Sequence, residues 1–147
     1  MQISLAPGSE YRARLVVGKE RTIDFMGEAL RVYSTPSMIL DVEDVCKDFL
    51  QQHLPNDSSS VGAHVEMDHL GPTLAGMPIE IAITVIAVDG RRVSFEAEVR
   101  DSFDVVGKAK HVRFIVNLAK QKERLESKAA RFADQLRNPA THQEPPT

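Results

Sequence analysis

Cysteine is almost missing from this chain: Cys46 is the single one, so no internal disulfide and no cysteine-based metal cluster can form. Its neighbours are apolar at helical spacing, where a thiol behaves as a small hydrophobe. Long hydrophobic runs are missing too. The richest stretch, Ile79 to Val88, is broken by Glu80 and Thr84, which excludes a membrane-spanning helix. The opening MQISLAPGSEYRARLVVG lacks the charged start and apolar run of a secretory signal. The expectation is a cytoplasmic protein with no membrane partner. Basic excess is also absent, with 18 Lys and Arg against 21 Asp and Glu for a net charge of −3, so no nucleic-acid partner is expected. The one dense basic stretch, Lys108, Lys110, His111 and Arg113, is too small for such a footprint but could meet a small anion.

What is present fits one domain, since 147 residues bury a real core but not two independent ones. No internal repeat is visible. Tyr11 to Val17 reads as a short strand, followed by a charged turn at Lys19-Glu20-Arg21, and residues 22–34 as a covering loop or an irregular strand. Ser34-Thr35-Pro36 then offers an N-cap hydroxyl and an early proline, with Thr35 before the proline read as a cap first. Met38, Val42, Val45, Cys46 and Phe49 follow as one apolar helical face, while Asp41, Asp44, Lys47, Asp48 and Gln51 suit solvent. Pro55-Asn56-Asp57 and three serines are expected to end the helix in a loop.

From residue 61 the period becomes two. Val61, Ala63, Val65, Met67 and His69 form one row, and Met77, Ile79, Ile81, Ile83 and Val85 a second. A turn at Asp89-Gly90 precedes the third row, Val93, Phe95, Ala97 and Val99. A fourth strand, about Val105 to Leu118, has its apolar row at Val112, Phe114, Val116 and Leu118. One oily sheet face and one long helix to cover it predict an α+β fold, an antiparallel sheet wrapped around a central helix. Residues 119–136 predict a C-terminal helix with a narrow stripe of Leu125, Ala129, Phe132 and Leu136. The domain proper is then 1–118, and residues 137–147, polar and proline-rich, a disordered tail.

Two polar residues break their patterns. His69 sits in the apolar row of its strand, and Glu43 lies about 40° beyond Ile39 at the border of the helix's apolar face. If the helix covers the sheet, imidazole and carboxylate approach one interior and could act as an acid/base pair. A strand-edge histidine and a glutamate reaching outward are the bland alternatives, and perturbed pairs also occur in purely structural networks. Other groups fare worse. His64 and Glu66 share the face opposite His69 and find no third ligand, so no metal is expected. Residues 58–60 (SSS) resemble no nucleophile elbow, and Gly71, Gly76 and Gly107 form no phosphate loop.

Taken in order, these residues suggest a family. Thr35 is followed eight residues on by Glu43; Gly62 precedes His69 by seven, and Gly76 follows by seven more; 89–92 reads DGRR; Gly107, His111 and Arg113 close the set. This ordered pattern, from Thr35 to Arg113, resembles the fluoroacetyl-CoA thioesterase family of hotdog proteins. The resemblance implies a homodimer, or a higher oligomer, that hydrolyses an acyl thioester at or near the subunit interface with no cofactor. It implies Thr35, Glu43 and His69 as the catalytic group, and Gly62 and Arg113 lining the acyl end of the pocket. The segment GEALRVYS before Thr35 is shorter than the family's lid and lacks its phenylalanines, so fluoroacetyl selectivity is not carried over. Two rivals remain: a non-catalytic hotdog module holding an apolar ligand, and a hotdog dehydratase or isomerase working without Thr35.

Overall fold

The structure, a computed structural model, describes residues 3–138. Strand β1 (Glu10–Val16) leads through a short 3-10 turn to β2 (Thr22–Ile23), and a second turn leads to β3 (Val32–Tyr33). Helix α1 (Thr35–Gln51) follows, then β4 (Ser58–His69), β5 (Pro78–Asp89), β6 (Arg92–Arg100), β7 (Val105–Asn117) and α2 (Leu118–Arg137). The expected disordered tail begins at Arg137, which instead closes α2, and from residue 139 it lies outside the described residues.

The main sheet is antiparallel, in the order β1-β5-β6-β7-β4, with β2 and β3 paired separately. Alternation explains the central strands: Ile79, Ile81, Ile83 and Val85 of β5 and Val93, Phe95, Ala97 and Val99 of β6 are all buried. They pack against Met38, Val42, Val45, Cys46 and Phe49 of α1 as one core cluster. Gly90, at φ 59°, starts the two-residue β5–β6 turn, a conformation glycine adopts without a Cβ clash. Gly107 admits the helix to the sheet. A Cβ there would lie 2.5 Å from Met38 Sδ, and Met38 is fully buried.

Two strand faces differ from expectation. On β7 the row Gly107, Ala109, His111, Arg113 and Ile115 is buried. Of the expected apolar row, Val112 is buried but outside the core cluster, Phe114 is 42% exposed, Val116 is half-buried and Leu118 begins α2. The expected oily row therefore points away from α1. On β4 a bulge between Gly62 and His64 leaves Ala63 unpaired, and an extra residue reverses the alternation beyond it. Ser58 and Ser60 are buried before the bulge and open the strand rather than a loop; Val61 and Ala63 are exposed; Val65, Met67 and His69 turn inward after it. His69 keeps its inward place, but Val61 and Ala63 do not share its row.

Candidate active site

The start of α1 fixes the first half of the site. Ser34, not Thr35, is the N-cap: its side chain accepts the Ser37 N–H, and Thr35 is the first helical residue. The Thr35 hydroxyl is thereby released from capping. It shares a 2.7 Å hydrogen bond with His69 Nδ1, at the end of β4. The two lie at the surface beside Ile23, Phe25, Val32, Leu70 and Pro72, which line a shallow apolar pocket around them.

Behind this pair, a polar network ties the covering segment to the helix. Asp41, expected in solvent, is buried; its carboxylate accepts the Tyr33 hydroxyl at 2.5 Å and Arg21 Nε at 3.1 Å. Burial and the neighbouring Asp41 raise the Tyr33 pKa far above the ordinary phenol value. The main chain adds Ser34 N–H to Arg21 O at 3.0 Å and Tyr33 N–H to Thr73 O at 2.8 Å. The segment before Thr35 is therefore held at three points, and with it the first turn of α1.

A second polar group lies further along the same strands. Arg113 is 5% exposed, yet its guanidinium meets only neutral partners: Nε donates to Ser60 Oγ at 2.8 Å and Nη2 to Ser60 O at 3.0 Å. Nη1 faces His111 Nε2 at 3.2 Å, and His111 Nδ1 lies 2.7 Å from His64 O. A guanidinium can only donate and a carbonyl can only accept, so His111 carries its proton on Nδ1 and is neutral. Burial, with Arg113 nearby, accordingly pushes its pKa down. Gly62 pairs with Arg113 across the strands, and a Cβ on it would meet Arg113 Nη1 at 3.4 Å.

Glu43 stands nearer this second group, although among the described residues no hydrogen bond or ion pair joins it to Arg113 or His111. Its charge acts on Cys46, His111 and Arg113. Eight residues of helix separate it from Thr35, about 12 Å of rise, and no hydrogen bond or ion pair joins it to His69 among the described residues. Within one chain, then, the expected catalytic residues fall apart into Thr35 with His69, and Glu43 with Gly62 and Arg113. Cys46 is buried, and that burial pushes its thiol up to about 12. Sequence reasoning missed His111 and Ser60 as partners of Arg113, and missed the Arg21–Asp41–Tyr33 network. The signal for the former was the polar odd row of β7, facing the helix across from Gly62.

An antiparallel sheet curled around one helix is the hotdog fold, and solved hotdog structures superpose on it. A Thermus thermophilus protein described as a thioesterase superfamily member matches with a TM-score of 0.80 at 24% identity, over 88% of this chain and 96% of that one. A fluoroacetyl-CoA thioesterase structure gives 0.77 at 22% identity, over 85% and 98%. In sequence, the fluoroacetyl-CoA thioesterase of Streptantibioticus cattleyicolor is 23% identical over 127 residues, 82% of this chain and 91% of that protein. Residues 17–119 match the fluoroacetyl-CoA-specific thioesterase family, and the chain belongs to that family. It is accordingly an acyl-thioester hydrolase. Among the described residues, no helix is long and apolar enough to cross a membrane.

Proposed function

We propose that this hydrolase is a cytoplasmic homodimer cleaving the thioester of a small acyl group, such as an acyl-CoA, at a site shared between two copies. One copy contributes Thr35 and His69, and the other contributes Glu43, Gly62 and Arg113. The observation carrying this reading is a separation. His69 pairs with Gly107, and Gly62 with Arg113; the six steps of β7 between Gly107 and Arg113 span about 20 Å of extended chain. No small acyl group reaches both ends within one copy. Strand β4, however, is a sheet edge, and unpaired edges invite a second strand. Antiparallel addition of the partner's β4 about a two-fold axis would lay the His69 end of one strand beside the Gly62 end of the other.

In this arrangement the Thr35 hydroxyl accepts the His69 Nδ1 proton and fixes a tautomer with a basic Nε2. Nε2 takes a proton as water bonds to the thioester carbonyl carbon. When the tetrahedral adduct collapses, the C–S bond breaks and Nε2 returns the proton to the departing sulfur, leaving acid and thiol. Glu43 from the facing copy stabilises the imidazolium between these steps, and the start of α1 favours the oxyanion. Arg113 and Gly62 receive the acyl end.

Mixing subunits tests this. His69→Ala and Glu43→Ala homodimers should each be inactive against an acyl-CoA panel. Unfolding and refolding them together at equal concentration should restore about a quarter of wild-type activity, because half the dimers are mixed and each holds one intact site. No recovery in verified mixed dimers would place all the catalytic groups in one copy and overturn the shared site. Full turnover in either single variant would remove that residue from the mechanism.

A further inference from the structure

Helix α2 lies almost wholly beyond the family's match, which ends at residue 119. Its twenty residues, about 30 Å long, contain no buried side chain and meet the sheet chiefly at the end of β7. Yet the helix is not uniformly polar. Leu118, Leu125, Phe132 and Leu136 are 48%, 59%, 58% and 65% exposed. With Lys122 and Ala129 they alternate at steps of four and three, the spacing of two adjoining rows of a heptad. At 100° per residue the apolar members span only about 60° of the helix. A helix lying on a membrane or against a globular core needs an apolar face of roughly 100° or more, whereas a stripe this narrow is a coiled-coil seam.

The borders of the seam say what covers it. Lys128 flanks the seam on one side and Glu126 on the other; farther round, Arg124 and Arg131 lie on the side of Lys128, and Glu123 and Asp134 on the side of Glu126, where Arg137 pairs with Asp134. Lys122 falls on the seam, its ammonium 3.8 Å from Glu126; a single seam lysine is tolerated in paired helices and helps set their register. When two such helices face each other in parallel, a two-fold along their axes puts the basic border of each against the acidic border of the other. In the antiparallel arrangement like charges meet on both sides.

We propose that α2 is a pairing helix that docks in parallel, seam to seam, on α2 of a second copy of this chain. The heptad stripe supplies the apolar contact, and the segregated borders set the direction. The copy meant is not the one that shares the catalytic site, because α2 begins beside Asp57 and Ser58 and the proposed β4 pairing sets those ends apart; α2 pairing would join one such dimer to another.

Cross-linking of the full-length chain tests it. Cys46 is buried and provides a silent background, so an added cysteine reports its own surroundings. Parallel pairing places each seam residue beside its own copy. Leu136→Cys should form a covalent dimer under mild oxidation at least about tenfold faster than Ser127→Cys, which lies opposite the seam. Adding Leu125→Glu to Leu136→Cys should abolish that difference. Equal rates at 136 and 127 would overturn the proposal. So would a disulfide between Leu118→Cys and Leu136→Cys chains when Leu136→Cys alone forms none, because that pairing is antiparallel. Flotation of the wild-type chain with vesicles of phosphatidylcholine and phosphatidylglycerol, together with no Leu136→Cys dimer, would assign the stripe to a lipid surface instead.

Discussion

The two ends of β4 are built on opposite principles. At the His69 end, a hydroxyl and an imidazole meet near the surface, held by one hydrogen bond and open to water. At the Gly62 end, a guanidinium is sealed in protein with hydroxyl, carbonyl and imidazole partners but no carboxylate within ion-pair distance among the described residues. Burial without such a partner lowers the Arg113 pKa, although Cys46, Glu43 and more distant acids oppose the shift. The difference is instructive. A group that must exchange protons needs water within reach, whereas a charge that must recognise an oxygen acts most strongly where water is excluded. Neither end alone holds all three of Thr35, Glu43 and His69.

The largest expected effect is at the open end. His69→Ala should lower kcat/KM by about 10²–10⁴-fold, the usual contribution of a general acid/base, while the melting temperature stays nearly unchanged. Thr35→Ala should cost less, because it orients the ring without carrying the proton. Steady-state kinetics across an acyl-CoA panel, beside thermal melts, measure both. A Thr35→Ala loss equal to that of His69→Ala would point to Thr35 as the nucleophile.

Much of this contrast was legible in the sequence, and the illegible part has identifiable causes. The apolar face of α1 and the rows of β5 and β6 follow from periodicity because one solvent-free face leaves no alternative. On β7 only the even row reads as apolar. The apolar even row won on hydropathy, but the odd row carries His111 and Arg113 to the interior because they satisfy each other, Ser60 and a carbonyl there. The bulge in β4 is nearly as silent: the strand glycine Gly62 is its one hint in VGAHV, yet it reverses the faces on either side. Asp41 looked like one of several surface acids until Tyr33 and Arg21 were brought to it. Those residues lie eight and twenty positions away, beyond what local pattern reports. Thr35 and His69 could be identified one at a time, but their contact belongs to the fold.

Next in size is the brace behind the open end. Tyr33→Phe removes one charge-assisted hydrogen bond from buried Asp41 and leaves Arg21 in place. Stability should fall by about 1.5–3 kcal/mol, read by urea denaturation. If the brace positions Thr35, kcat should fall as well; an unchanged kcat would confine the network to stability.

At the closed end the balance shifts from rate to binding and stability. Arg113→Met leaves Ser60 and His111 acceptors without their donor, at a cost of about 1–3 kcal/mol, less whatever is recovered by removing a buried charge. Its activity loss should appear mainly in KM, in contrast to His69→Ala. The neighbouring His111 adds a pH dependence. The unfolded chain binds a proton on this residue below its ordinary value of 6.5, but the folded chain binds it only at lower pH. The unfolded state therefore holds more protons in that window, so stability declines as pH falls below about 6.5 and levels off once folded His111 is protonated. For a single proton the slope cannot exceed about 1.4 kcal/mol per pH unit. His111→Asn should flatten the curve relative to wild type, and parallel curves would show that other groups govern acid sensitivity.

The smallest effect discriminates best. Gly62 is exposed, its φ is not in the left-handed region, and an added Cβ would sit 3.4 Å from Arg113 Nη1 and 3.5 Å from His111 Cε1. Those are tolerable contacts, so the isolated fold gives little reason to require glycine there. Gly62→Ala should change stability by less than about 0.5 kcal/mol, as for other surface positions. If an acyl group from the facing subunit's open end lies over this position, the added methyl must compete with it. KM should then rise while the melting temperature holds, and the rise should be steeper for bulkier acyl groups. A uniform KM along the series would mean that the strand is bare of substrate at Gly62, and the two ends of β4 would then serve separate purposes.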